Sequence, residues 1–135
     1  MKIRFDKIIL TFFIIMVMLS STVFASELDK NPNYLFIGKC NSQLVYIDTN
    51  SITYDSEKKV ANFVYITDEP SHNQYIVWNY TIYYLKNCFQ IDSPFIFKYG
   101  TEQSIRASAV EYAPIKPNSF EEKIKNIITE RINFY

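Results

Sequence analysis

The chain has 135 residues, 14 basic and 14 acidic side chains, one histidine, two cysteines and only two glycines. This length suits a single domain, and the balanced charge excludes the clustered basic face that nucleic-acid binding needs. With Gly38 and Gly100 as the only glycines, a Gly-rich phosphate loop is excluded as well.

In chain order, Lys2, Arg4 and Lys7 precede an uncharged run from Ile8 to Leu19 and the small-residue ending Val23-Phe24-Ala25. That order predicts a secretory signal peptide over residues 1–25, cleaved after Ala25. The alternative is an uncleaved anchor that tethers the protein to a membrane, against which Ser20, Ser21 and Thr22 interrupt the apolar run. Residues 26–135 then form one domain with 11 basic and 13 acidic side chains, a formal charge of about −2. They hold 19 aromatic residues, 11 of them tyrosine, and lean towards sheet.

Strands are predicted over Tyr34 to Lys39 and Gln43 to Asp48. A turn follows at Asp48-Thr49-Asn50-Ser51, with a short third strand from Ser51 to Tyr54. Lys59 to Thr67 and Gln74 to Lys86, rich in β-branched and aromatic residues and parted by a polar loop, predict an antiparallel hairpin. In its second arm Ile76, Trp78, Tyr80, Ile82 and Tyr84 share the face expected to meet the core. Pro94 to Tyr99 and Ser104 to Val110 predict a second hairpin about Gly100. The last segment predicts a helix opening at Ser119, with Glu122 at capping-box spacing and a stripe of Phe120, Ile124, Ile127, Ile128 and Ile132. The expected fold is α+β: five or six mostly antiparallel strands with a carboxy-terminal helix across one face.

No catalytic, cofactor or metal constellation is legible. His72 is the only imidazole, so a metal site or a cysteine nucleophile would depend on it alone. Cys40 and Cys88, in an oxidising compartment, are candidates for a disulfide worth about 4 kcal/mol in the chain-entropy model, the alternative being two buried thiols. Tyr65, Tyr75 and Tyr83, with Phe63, are candidates for a wet aromatic contact surface for a partner protein or a glycan, the alternative being cross-strand packing pairs.

Several short motifs resemble those of the surface-adhesin protein E family of small exported bacterial domains. They are Tyr46-Ile47-Asp48-Thr49-Asn50-Ser51-Ile52, the aromatic-centred Asn62-Phe63-Val64, a long strand running to Cys88, Tyr99-Gly100 at a turn, and Pro114-Ile115-Lys116-Pro117-Asn118-Ser119 before the helix. The resemblance spans Tyr34 to Ile128 and implies an adhesin-like fold. It departs at the end, where the family tends to carry a cysteine and this chain has Ile132-Asn133-Phe134-Tyr135; by that resemblance Cys40 takes over as partner of Cys88, or Cys88 is free.

Residues and resemblance together give the expectation of an exported, non-enzymatic envelope or surface binding protein, in the periplasm, on the cell surface or outside the cell. The alternatives are a small secreted hydrolase or inhibitor using Asp48, Asp68 and Glu69, or a membrane-tethered accessory protein.

Overall fold

The computed structural model describes residues 27–101 and 104–133. The expected signal peptide and its cleavage site lie outside the described residues. Seven strands, β1 (Tyr34–Cys40), β2 (Gln43–Asp55), β3 (Val60–Glu69), β4 (Gln74–Tyr83), β5 (Cys88–Lys98), β6 (Ser104–Arg106) and β7 (Val110–Pro114), are followed by one helix, α1 (Phe120–Asn133). The strands form one antiparallel meander in the order β1-β2-β3-β4-β5. β6 and β7 share the outer edge of β5, β6 against Phe95 to Phe97 and β7 against Cys88 to Asp92. The expected α+β architecture is what the chain adopts.

Local chemistry explains where the strands turn and kink. Asp55 Oδ1 accepts the backbone N–H groups of Glu57 and Lys58, both at 3.0 Å, and closes the β2–β3 turn. These bonds, that to Lys58 first, hold the Asp55 carboxyl below the usual carboxylate range. At the β3–β4 turn Asn73 takes the left-handed conformation that asparagine tolerates.

The turn expected at Asp48 to Ser51 forms with the predicted Asx bond, Asn50 N–H to Asp48 Oδ1 at 3.0 Å, but it does not end the strand. It becomes a wide bulge inside β2, with Asp48 paired to Val64 and Thr53 to Asn62. Ser51 Oγ spans the bulge, accepting from Val64 N–H at 2.7 Å and donating to the Asp48 carbonyl at 2.6 Å. The predicted third strand is therefore the second half of β2.

β5 also differs from expectation, beginning at Cys88 and carrying Pro94 in its interior. Pro94 is tolerated because the β4–β5 register shifts there, with Ser93 in the left-handed region. The single strand expected over Ser104 to Val110 is split into β6 and β7.

Alternation in β1 to β5 sends one set of side chains under α1: Ile37, Val45, Ile47, Ala61, Phe63, Tyr65, Tyr80, Ile82 and Phe89 are buried there with Ile124 and Ile128 of the helix. Tyr80 is the centre of an aromatic stack, 4.8 Å from Phe63 and 5.6 Å from Phe89. Helix α1 opens as predicted, with Ser119 Oγ accepting Glu122 N–H at 3.1 Å. Lys123 Nζ then pins it to the bulge in β1 by donating to the Ile37 carbonyl at 2.7 Å.

The expected disulfide is overturned. Cys40 and Cys88 are both free thiols. Cys40 packs against the helix-covered core, whereas Cys88 pairs with Tyr83 on the other face. Three strands separate β1 from β5, about 19 Å at ordinary strand spacing, and the register sets Cys40 near the row of Lys98, roughly 30 Å along β5 from Cys88. A disulfide tolerates a Cα separation of about 7 Å at most. Equal numbers and an oxidising compartment say nothing about face or strand order, and those decide the matter.

Candidate functional site

The face away from α1 is the candidate site, since among the described residues only one short element lies on it. That element is the 3-10 turn Glu27–Lys30, whose Leu28 is buried on Tyr46 and Ile66. Its Asp29 accepts the Tyr46 hydroxyl at 2.8 Å.

Register divides this open face into two halves. One end carries Leu44, Asp68, Tyr75 and Phe97 in one row and Tyr46, Ile66, Val77 and Phe95 in the next. Here Tyr75 stacks on Phe97 at 5.1 Å and meets Tyr99 at 5.1 Å, while Arg106 lies 5.8 Å from the centre of the Phe95 ring. Partial burial raises the Tyr75 phenol above its ordinary pKa, and neighbouring Tyr34 adds to the shift. Phe36, against Tyr46 at 5.4 Å, is 51% exposed, and Phe95 is 37% exposed. The other end is polar, with Asn62, Thr81 and Gln90 in one row and Val64, Asn79 and Asp92 in the next.

The three tyrosines expected to act together do not meet. Tyr65 pairs with Trp78, lies on the helix-covered face and is 8% exposed. Burial raises its phenol well above the usual range. Phe63, on the same side, stacks on Tyr80. Tyr75 and Tyr83 do share the open face, but they stand roughly 27 Å apart along β4. Tyr83 belongs to a second, smaller group with Tyr112, ring centres 6.0 Å apart, and Cys88. Hydrogen bonding to Cys88 raises the Tyr112 phenol.

Sequence reading missed Phe95, Phe97, Tyr99 and Tyr112 as members of this face. The alternation Phe95, Phe97, Tyr99 was there to read, but only the β4–β5 register puts it beside Tyr75.

The carboxylates considered for hydrolysis serve local structure. Asp48 shapes the β2 bulge, and the buried Asp68 accepts the Tyr99 hydroxyl at 2.8 Å. Glu69 accepts from the side-chain amides of Gln43 and, at 2.7 Å, Gln74. His72 is exposed, 3.6 Å from Glu69 and 3.3 Å from Ser71 Oγ. No cluster of three metal-ligating side chains occurs among the described residues. Nor is any helix there long and apolar enough to cross a membrane.

No protein-family model matches the chain, and no curated protein matches it. Among solved structures it is similar to Haemophilus influenzae protein E, with a TM-score of 0.58 and 13% identity over 76% of this chain and 88% of that one. Crystal form II of the same protein gives 0.59 and 14% identity over 76% and 91%. Protein E from non-typeable Haemophilus influenzae gives 0.54 and 13% identity over 73% and 77%. Likeness at this identity shows the fold, and the chain has a protein E-like fold.

Proposed function

We propose, from the premise of that fold, that the chain is an exported, non-enzymatic binding domain of a bacterial envelope or surface. It holds an extracellular or envelope partner on the aromatic half of its open sheet face. The observation that carries this reading is the group of Tyr75, Phe97, Tyr99, Phe95 and Phe36 on a face that α1 leaves uncovered. An antiparallel sheet needs apolar side chains on only one face, and the other is ordinarily polar. Aromatics set there, with a polar rim, suit a partner surface. The charged, apolar and small-residue order of residues 1–25 supports export, and the resemblance to the protein E family supports adhesion. The local duties of Asp48, Asp68 and Glu69 favour this reading over a hydrolase.

The test is intact mass together with binding. Protein recovered from its host's envelope or medium is expected to begin at Ser26 and to carry two alkylatable thiols. The Tyr75→Ala, Phe97→Ala double variant is expected to lose binding to matrix or envelope proteins while still unfolding in one cooperative transition, at a lower melting temperature. A full-length mass overturns export, and binding that survives the double variant overturns the assignment of the face.

A further inference from the structure

The polar half of the open face is more organised than a merely solvated surface requires. The β2 bulge opens a depression of about 380 Å³ whose lining includes Ser51, Asn62, Val64, Asn79, Thr81 and Asp92, within the size range of small-ligand sites. Asparagine is depleted in strands, yet two asparagines occupy the central strands β3 and β4 here. Asn79 and Asp92 are cross-strand partners, which sets their Cβ atoms about 5 Å apart.

Neighbouring hydrogen bonds orient these groups. The Tyr83 hydroxyl donates to Gln90 Oε1 at 3.2 Å, and Gln90 Nε2 donates to Asp92 Oδ2 at 2.8 Å. Thr81 donates to Asn62 Oδ1 at 2.8 Å, leaving the Asn62 amide hydrogens as the donors it offers. The carboxylate and one amide are thus held in place, while the Asn79 side chain between them has no hydrogen-bond partner among the described residues.

We propose that this depression binds an uncharged saccharide. Adjacent sugar hydroxyls both donate and accept, so one can donate to the Asp92 carboxylate while its neighbour accepts from the amides of Asn79 and Asn62. Asp92 is the only charged side chain in the lining, and no Lys or Arg lines it; an anionic ligand would meet uncompensated repulsion. Tyr112, 53% exposed and cross-strand from Gln90, stands outside the lining with its ring turned to Tyr83, so the polar groups of the depression carry the recognition. This inference rests on the reading of the open face as a binding surface, but it concerns the opposite half from the aromatic group.

The test is a titration of the processed, 15N-labelled protein with maltotetraose and with N-acetylated chitotetraose, using sialyllactose as the anionic probe, all at millimolar concentration. Saturating amide shifts at Asn62, Asn79, Thr81 and Asp92 with an uncharged probe are expected. Asn79→Ala is expected to weaken that binding about tenfold with an unchanged melting temperature, and Tyr75→Ala to leave it intact. Silence from both uncharged probes overturns the inference, as does a response confined to sialyllactose or centred on Tyr75 and Phe97. Saccharide shifts that persist in a protein with no affinity for matrix or envelope proteins defeat the partner reading alone.

Discussion

On the helix-covered face, each strand from β1 to β5 places at least one apolar side chain in the core, and α1 closes over them with Ile124 and Ile128. On the open face the same strands carry at one end a smaller cluster, Tyr46 and Ile66 buried beneath Leu28 of the 3-10 turn with half-buried aromatics around them, and at the other exposed or half-exposed amides. The backbone is common to both, so the contrast lies in what each face must do. One face supplies hydrophobic stability, and its residues are replaceable only at a cost in cavity and contact. The other face contributes less to stability and is free to carry groups chosen for recognition.

The sharpest way to break this contrast is to truncate one residue from each face. Ile128→Ala, at a fully buried position, is expected to cost about 3 to 4 kcal/mol in urea unfolding. Tyr75→Ala, at a half-buried position, is expected to cost about half as much or less. Equal losses would mean that the open-face cluster around Tyr46 and Ile66 stabilises the fold as much as the helix-covered core does.

Ser51→Ala tests the bulge that joins the two faces, since it leaves the Val64 N–H and the Asp48 carbonyl without their shared partner. A loss of about 1 to 2 kcal/mol is expected. Together with that loss, the shifts of residues lining the polar depression should change in an amide spectrum.

Tyr80→Phe is expected to act in the opposite direction. The Tyr80 hydroxyl is buried with no hydrogen-bond partner among the described residues, so deleting it should raise stability by about 1 kcal/mol. A destabilised variant would show that the hydroxyl is satisfied in solution.

The smallest effect at neutral pH is the largest in alkali. Burial raises the phenols of both Tyr65 and Tyr80 well above the ordinary tyrosine value of about 10. An acid with a raised folded pKa favours folding fully below the unfolded pKa. As pH climbs past about 10, the unfolded chain's tyrosines ionise while these two stay protonated, and stability falls. Thermal melts should be flat with respect to these groups below pH 10 and decline above it, with a shallower decline in a Tyr65→Phe, Tyr80→Phe protein.

Much of the fold was legible because its causes are local. Alternation in β4 identified Tyr80 and Ile82 as core, and the Ser119–Glu122 spacing with the isoleucine stripe located α1 and its buried side. The turn residues at Asp48 to Ser51 and at Pro94 were recognised as irregularities, but their outcome was misjudged. A side-chain bond that ends a strand in one setting forms a bulge in another when flanking strands continue to pair across it. The candidate site was less legible. Tyr75 was found, Tyr65 was assigned to the wrong face, and the aromatic and polar groups contributed by β5 and β7 were missed.

By itself, then, the amino-acid order determined the element types, the helix cap and the core side of β4, because each depends on periods and bonds spanning a few residues. Tertiary structure decided which tyrosines are neighbours, that Cys40 and Cys88 face opposite sides of the sheet, and that Asn79 lies beside Asp92. Those facts depend on register across strands distant in sequence, and each bulge displaces that register in a way that no stretch of sequence states alone.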